Sequence, residues 1–185
     1  MNSKQDQLES TGVNTSRWVV MGVCGCGKTE IGQGLAHRLN VQFIEGDQYH
    51  SSSNVKKMRD GIPLTDNDRS DWLLQLTVII SEAREQGRGL VLSCSALKRA
   101  YRDLLRSADP ELQFIHLYGD RDIIAQRMQA RQQHFMPVSL LDSQLADLQA
   151  LQGDEQGISL NIEETPATLI NCIVQTQSTY RGSKS

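Results

Sequence analysis

No stretch of this sequence approaches the roughly 20 apolar residues needed to cross a bilayer, and residues 1–16 are polar with no apolar signal-peptide core. Both absences predict a cytoplasmic protein with no membrane partner. Positive charge is not in excess either. The 19 Lys and Arg against 22 Asp and Glu leave a formal charge of −3, which argues against nucleic acid as the main partner, because that role usually needs a strongly basic face. Any cation required for an anionic ligand must then be placed locally. The four cysteines, Cys24, Cys26, Cys94 and Cys172, include no C-x-x-C pair of the kind a structural zinc site uses. Internal repeats and dividing linkers are also missing, so the 185 residues are expected to form a single domain over 17–177, between a disordered leader (1–16) and a flexible tail (178–185).

What is present starts with the apolar run Trp18-Val19-Val20-Met21, followed at once by Gly22-Val23-Cys24-Gly25-Cys26-Gly27-Lys28-Thr29. This is G-x-x-x-x-G-K-S/T, the phosphate-binding loop, in the strand-then-helix setting the motif requires. Its glycines let successive backbone N–H groups converge on phosphate oxygens, and the following helix N-terminus adds positive potential. Lys28 is expected to reach the β- and γ-phosphates of a nucleotide, and the Thr29 hydroxyl to be a magnesium ligand. Cys24 and Cys26 fall at variable positions. A helix N-terminus can favour the thiolate, which would make them oxidation-prone; as small fillers they would be inert.

Further strands are expected over 41–44, 88–92, 113–118 and 158–162, separated by helical patterns. One helix follows the phosphate loop, a short one covers 51–59, and a long one starts at Thr65 or Asp66. Others follow Lys98, span 121–132 and about 139–151, and open at Thr165-Pro166. Alternation of this kind predicts a parallel sheet with right-handed crossovers. Asp47 then lies at the carboxyl end of the second strand, beside the phosphate loop, where open α/β sheets bind ligands. No strand ends in the apolar run plus Asp of a Walker B segment, and N-K-x-D, which reads guanine, is absent. Arg127 and Arg131 sit four apart just before His134-Phe135-Met136, a placement suited to a mobile lid over about 127–152 that brings guanidinium groups onto a transferring phosphoryl.

The run Gly46-Asp47-Gln48-Tyr49-His50, then Asn54-Val55-Lys56-Lys57-Met58, Gly61-Ile62-Pro63-Leu64-Thr65-Asp66, Asp68-Arg69 and Trp72-Leu73 resembles the gluconokinase family, relatives of shikimate and adenylate kinases. Ser93 to Asp103, His134-Phe135-Met136, Leu140-Leu141 and Ser143-Gln144 extend the likeness over about residues 20–148. The resemblance implies an α/β P-loop kinase sandwich of three layers, with a five-stranded parallel sheet, helices on both faces and a helical lid. It implies transfer of the ATP γ-phosphoryl to the 6-hydroxyl of D-gluconate with Mg2+, in a homodimer. Asp47 would orient the acceptor hydroxyl or take its proton. Arg69, Lys98 and Arg102, with His50 and His134, would hold the carboxylate and hydroxyls, and Arg127 and Arg131 would meet phosphate oxygens or the adenine face. Two alternatives stay open: a kinase of the same fold acting on another small acid or polyol such as shikimate, and a nucleotide sensor without an acceptor.

Overall fold

The structure, a computed structural model, describes residues 14–130 and 137–182; side chains beyond 176 are outside it, as are the expected sites Arg131 and His134. The strands are β1 (Arg17–Met21), β2 (Gln42–Glu45), β3 (Leu90–Ser93), β4 (Gln113–Tyr118) and β5 (Gly157–Asn161). The helices are α1 (Lys28–Leu39), α2 (Ser52–Arg59), α3 (Asp66–Glu85), α4 (Arg99–Ala108), α5 (Arg121–Ala130), α6 (Val138–Asp147) and α7 (Pro166–Gly182), with a 3-10 turn at Gly46–Tyr49. All neighbours in the sheet are parallel, in the order β2-β3-β1-β4-β5.

The central strand β1 shows why the sheet has two covered faces. Its side chains alternate: Trp18 and Val20 join a core with α1 residues Ile31 and Leu35 and α7 residue Ile173. Val19 and Met21 join the opposite core, with Trp72, Leu76 and Ile80 of α3 and Leu105 of α4. Every β1 residue is buried. Because β1 is central, the loop that follows it emerges in the middle of the sheet's carboxyl edge. Gly22 makes that exit possible: its φ is +140°, and a Cβ there would lie 2.5 Å from the Leu117 carbonyl oxygen.

Helix starts follow the expected chemistry. Ser51 accepts from the Asn54 N–H to cap α2, and Thr65 and Asp68 form a reciprocal capping box on α3. The expected helix 139–151 instead ends at Asp147. Its last residues are drawn out of helical geometry because the Gln149 N–H donates to the Leu97 carbonyl, while the carbonyls of Gln149 and Ala150 accept from Arg102. No helix among the described residues is long and apolar enough to cross a membrane.

Candidate active site

At the carboxyl edge, the β1–α1 loop separates two depressions. The larger is a cavity of about 520 Å³ lined by Cys24, Lys28 and Thr29 on one side and by Asp47, His50, Arg69 and Trp72 on the other. The smaller, about 360 Å³, lies between the same loop and Arg127, Ile162, Glu164 and Pro166. Gly25 and Gly27 line both, and each has a positive φ that turns the backbone around a common centre.

Lys28 folds back so that its Nζ donates to the Val23 carbonyl at 3.0 Å, within its own loop. Burial pulls its pKa down, but Cys26, Asp47, Cys24 and Glu45 outweigh that and raise it overall, so the ammonium is charged at neutral pH. Thr29 Oγ1 donates to Glu45 Oε2 at 2.6 Å, and Ser93 Oγ donates to Glu45 Oε1 at 2.9 Å. Both Glu45 oxygens are therefore engaged at the ends of β2 and β3. Asp47, two residues on in the 3-10 turn, is exposed and faces the cavity. The turn is seated by Gly46, where a Cβ would meet the Ser93 carbonyl at 2.3 Å, and by Trp72, whose Nε1 donates to the Gly46 carbonyl at 2.8 Å.

His50 stacks on Trp72 at 4.1 Å between ring centroids, and its buried Nδ1 has no hydrogen-bond partner among the described residues. Burial pushes the imidazole pKa down, Asp47 pulls it partly back and Arg69 lowers it further, leaving the ring neutral at pH 7. Arg69, on α3, is buried but lines the cavity; its Nη1 donates to the Tyr101 hydroxyl at 3.3 Å and to Asp147 Oδ2 at 3.4 Å. Among the described lining residues, it is the cation furthest along the chain from the phosphate loop.

Two expectations for the site change. Arg102 makes no approach to the cavity: it is fully buried, with Nε and Nη2 forked onto Glu155 at 2.6 and 2.8 Å. Its remaining donors reach the carbonyls of Ala96, Leu97, Gln149 and Ala150, so no N–H is left for a substrate. Lys98 does not line the cavity either; its ammonium is held by Asp66 at 2.7 Å and Asp147 at 3.6 Å. Arg127 lines the smaller groove and donates to the Ile162 carbonyl at 2.9 Å; of the two places expected for it, phosphate oxygens or the adenine face, the groove fits the second.

Gly22 and Val23 are buried behind the loop, and Cys26 lines only the smaller groove. Cys24 and Cys94 are not activated. Burial pushes the Cys24 thiol up to about 11 despite nearby Lys28, and Cys94 up to about 12. Iodoacetamide at pH 7.5 should therefore label exposed Cys172 first and leave activity intact, by intact-mass analysis and assay of the same samples. Early labelling at Cys24 would contradict this.

Sequence reasoning assigned no role in the site to Glu45, Ser93, Gln144 or Trp72. Glu45 satisfies the strand-end argument that selected Asp47, but nothing in the chain tells which of two carboxylates two residues apart stays open. Among the described residues no group of three His, Cys, Asp or Glu forms a protein-only metal cage. The Thr29 hydroxyl beside the Glu45 carboxylate fits a Mg2+ held mainly by phosphates and water, the usual mode for this ion.

Residues 24–159 match the family model for shikimate kinase. A gluconokinase of Gluconobacter oxydans is 45% identical over 157 residues, covering 85% of this chain and 88% of the relative. The chain belongs to the gluconokinase family. The thermosensitive gluconokinase of Escherichia coli is also 45% identical, over 76% of this chain and 75% of the relative. Among solved structures, a sugar kinase from Janibacter superposes with a TM-score of 0.84 at 46% identity, covering 88% of this chain and 94% of that one. A gluconokinase from Sinorhizobium meliloti does so at 0.78 and 39% identity, covering 86% and 90%. The chain is therefore an ATP-dependent carbohydrate kinase.

Proposed function

We propose that this protein transfers the γ-phosphoryl of ATP to the 6-hydroxyl of D-gluconate, giving 6-phospho-D-gluconate and ADP. The observation that carries the reading is the layout of the larger cavity. Lys28 and Thr29 lie at the phosphate end, Arg69 and His50 stand across from them, and Asp47 is open to the same space. The adenine end of ATP occupies the smaller groove beside Arg127 and Pro166, and its phosphates run along the loop toward Lys28. Gluconate occupies the larger cavity, with its carboxylate on the Arg69 guanidinium and its hydroxyls within reach of His50.

Asp47 accepts a hydrogen bond from the attacking hydroxyl, orients it and takes its proton as the new O–P bond forms. Glu45 cannot do this while both its oxygens serve Thr29 and Ser93. Thr29, with Glu45 behind it, would hold Mg2+, which neutralises charge on the transferring phosphoryl when bound. Lys28 swings from the Val23 carbonyl to the phosphate oxygens. Arg131 and His134 belong, on this reading, to a lid that closes over the reactants within a single kinase unit spanning 17–177. A cytoplasmic homodimer is the setting we assign to it.

ADP release in a coupled assay with ATP and Mg2+ should be strong with D-gluconate and weak with gluconate stereoisomers, shikimate or no acceptor. Turnover on shikimate alone, which the shikimate kinase match of residues 24–159 makes the second reading, would keep the mechanism and overturn the substrate. Arg69→Gln should raise the KM for gluconate about tenfold with a smaller change in kcat, because it removes a charged contact present before and during transfer. An unchanged KM would remove Arg69 from the carboxylate.

A further inference from the structure

Leu140, Ser143, Gln144 and Asp147 recur three and four apart and share one face of α6. The first three wall the larger cavity. Gln144 reaches the phosphate loop itself, where the Cys24 backbone N–H donates to its Oε1 at 2.7 Å. An N–H can only donate, so the atom facing Cys24 must be the amide oxygen, which leaves the two Nε2 hydrogens to be donated to another acceptor. Cys24 lines the larger cavity but not the nucleotide groove, whereas Gly25 and Gly27 line both. The contact therefore sits at the acceptor end of the loop, where a bound triphosphate would present its terminal phosphoryl. One turn further on, at the C-terminal end of the helix, Asp147 pairs with Arg69 and Lys98. The C-terminal half of α6 is thus tied across the site at two points, and Gln144 is held rather than waving from a surface.

We propose that Gln144 is a further catalytic residue: with Oε1 fixed by the Cys24 N–H, its Nε2–H groups donate to an oxygen of the transferring phosphoryl and align it with the acceptor. The proposal rests on the kinase reading above. In the step, the acceptor oxygen bonds to the γ-phosphorus, the bond from that phosphorus to the bridging β–γ oxygen breaks, and the hydroxyl proton passes to Asp47. Gln144 transfers nothing. A fixed neutral donor stabilises the charge spread over the equatorial oxygens, and it needs no reorganisation during reaction. It also couples the seating of α6 to the chemistry, since the hydrogen bond that orients the amide forms only while the helix covers the loop.

Two variants test this. Gln144→Glu keeps an oxygen toward Cys24 and nearly the same shape but replaces the donor with a charged acceptor; Gln144→Ala removes the group. We expect kcat for gluconate to fall about 10²-fold in the first and about 30-fold in the second. The Kd for a non-hydrolysable ATP analogue should change less than about threefold, and Tm should hold, which a merely structural role would not give. Parent-like kcat in both variants overturns the proposal, and so does a loss matched by a fall in Tm. Should the parent not turn over gluconate, the gluconokinase reading fails separately. Acceptor-independent ATP hydrolysis in the same samples must then fall in Gln144→Glu, and unchanged hydrolysis overturns the role of Gln144.

Discussion

Asp47→Asn should lower kcat for gluconate about 10³-fold while leaving the KM for ATP and the folding stability nearly unchanged. The size follows from the role: the amide can still orient a hydroxyl but cannot take its proton, and general-base removal typically costs about 10² to 10⁴ in rate. The lack of a stability cost follows from position. Asp47 lies exposed in a 3-10 turn whose geometry is held by other groups, the Trp72 indole on the Gly46 carbonyl and the close approach of Gly46 to Ser93. Steady-state kinetics with a thermal melt of the same preparation check both halves. A kcat within tenfold of the parent would pass the proton to another group, and Glu45 would be next in line once released from Thr29 and Ser93.

Arg102→Leu should destabilise the fold by about 3 to 5 kcal/mol, because it leaves the buried Glu155 carboxylate with only the longer contacts to Arg106 and Arg99, at 3.5 and 3.9 Å, and takes a donor from four carbonyls. In a domain of this size that corresponds to a fall of about 6 to 20 °C in Tm. Replacing both members, Arg102→Leu with Glu155→Leu, should recover a large part of the loss, since the buried carboxylate that lost its forked partner is then gone. A single variant as stable as the parent would refute the buttress.

The pair also sets a pH dependence. Burial pushes Glu155 up, but the hydrogen bonds from Arg102 and the Gln152 N–H outweigh it and hold the carboxyl below its ordinary value. A depressed carboxyl contributes stability above its unfolded pKa and loses it as pH falls through the folded one. The parent should therefore weaken in acid more steeply than the double variant, by denaturant melts at stepped pH.

The part of the site that lies in one continuous stretch was legible. Strand, phosphate loop and helix follow one another from Arg17 to Leu39, so glycine spacing, Lys28 and Thr29 could be read directly, as could the Thr65 cap and Asp47 at its strand end. Arg102 was misread for a physical reason. On α4 its spacing is that of any solvated arginine, and only the passage of residues 149–155 over that helix buries it. Gln144 and Glu45 are the converse: ordinary polar residues that acquire a partner, the Cys24 N–H and the Thr29 hydroxyl, 120 and 16 residues away.

Local chemistry along the chain thus determined the fold class, the phosphate loop and the kinase family, because strand and helix periods and loop glycines act over a few residues. Which cations face the cavity, which carboxylate stays open and what roofs the loop were decided only in three dimensions. Burial and hydrogen-bond competition depend on segments that meet from opposite ends of the chain.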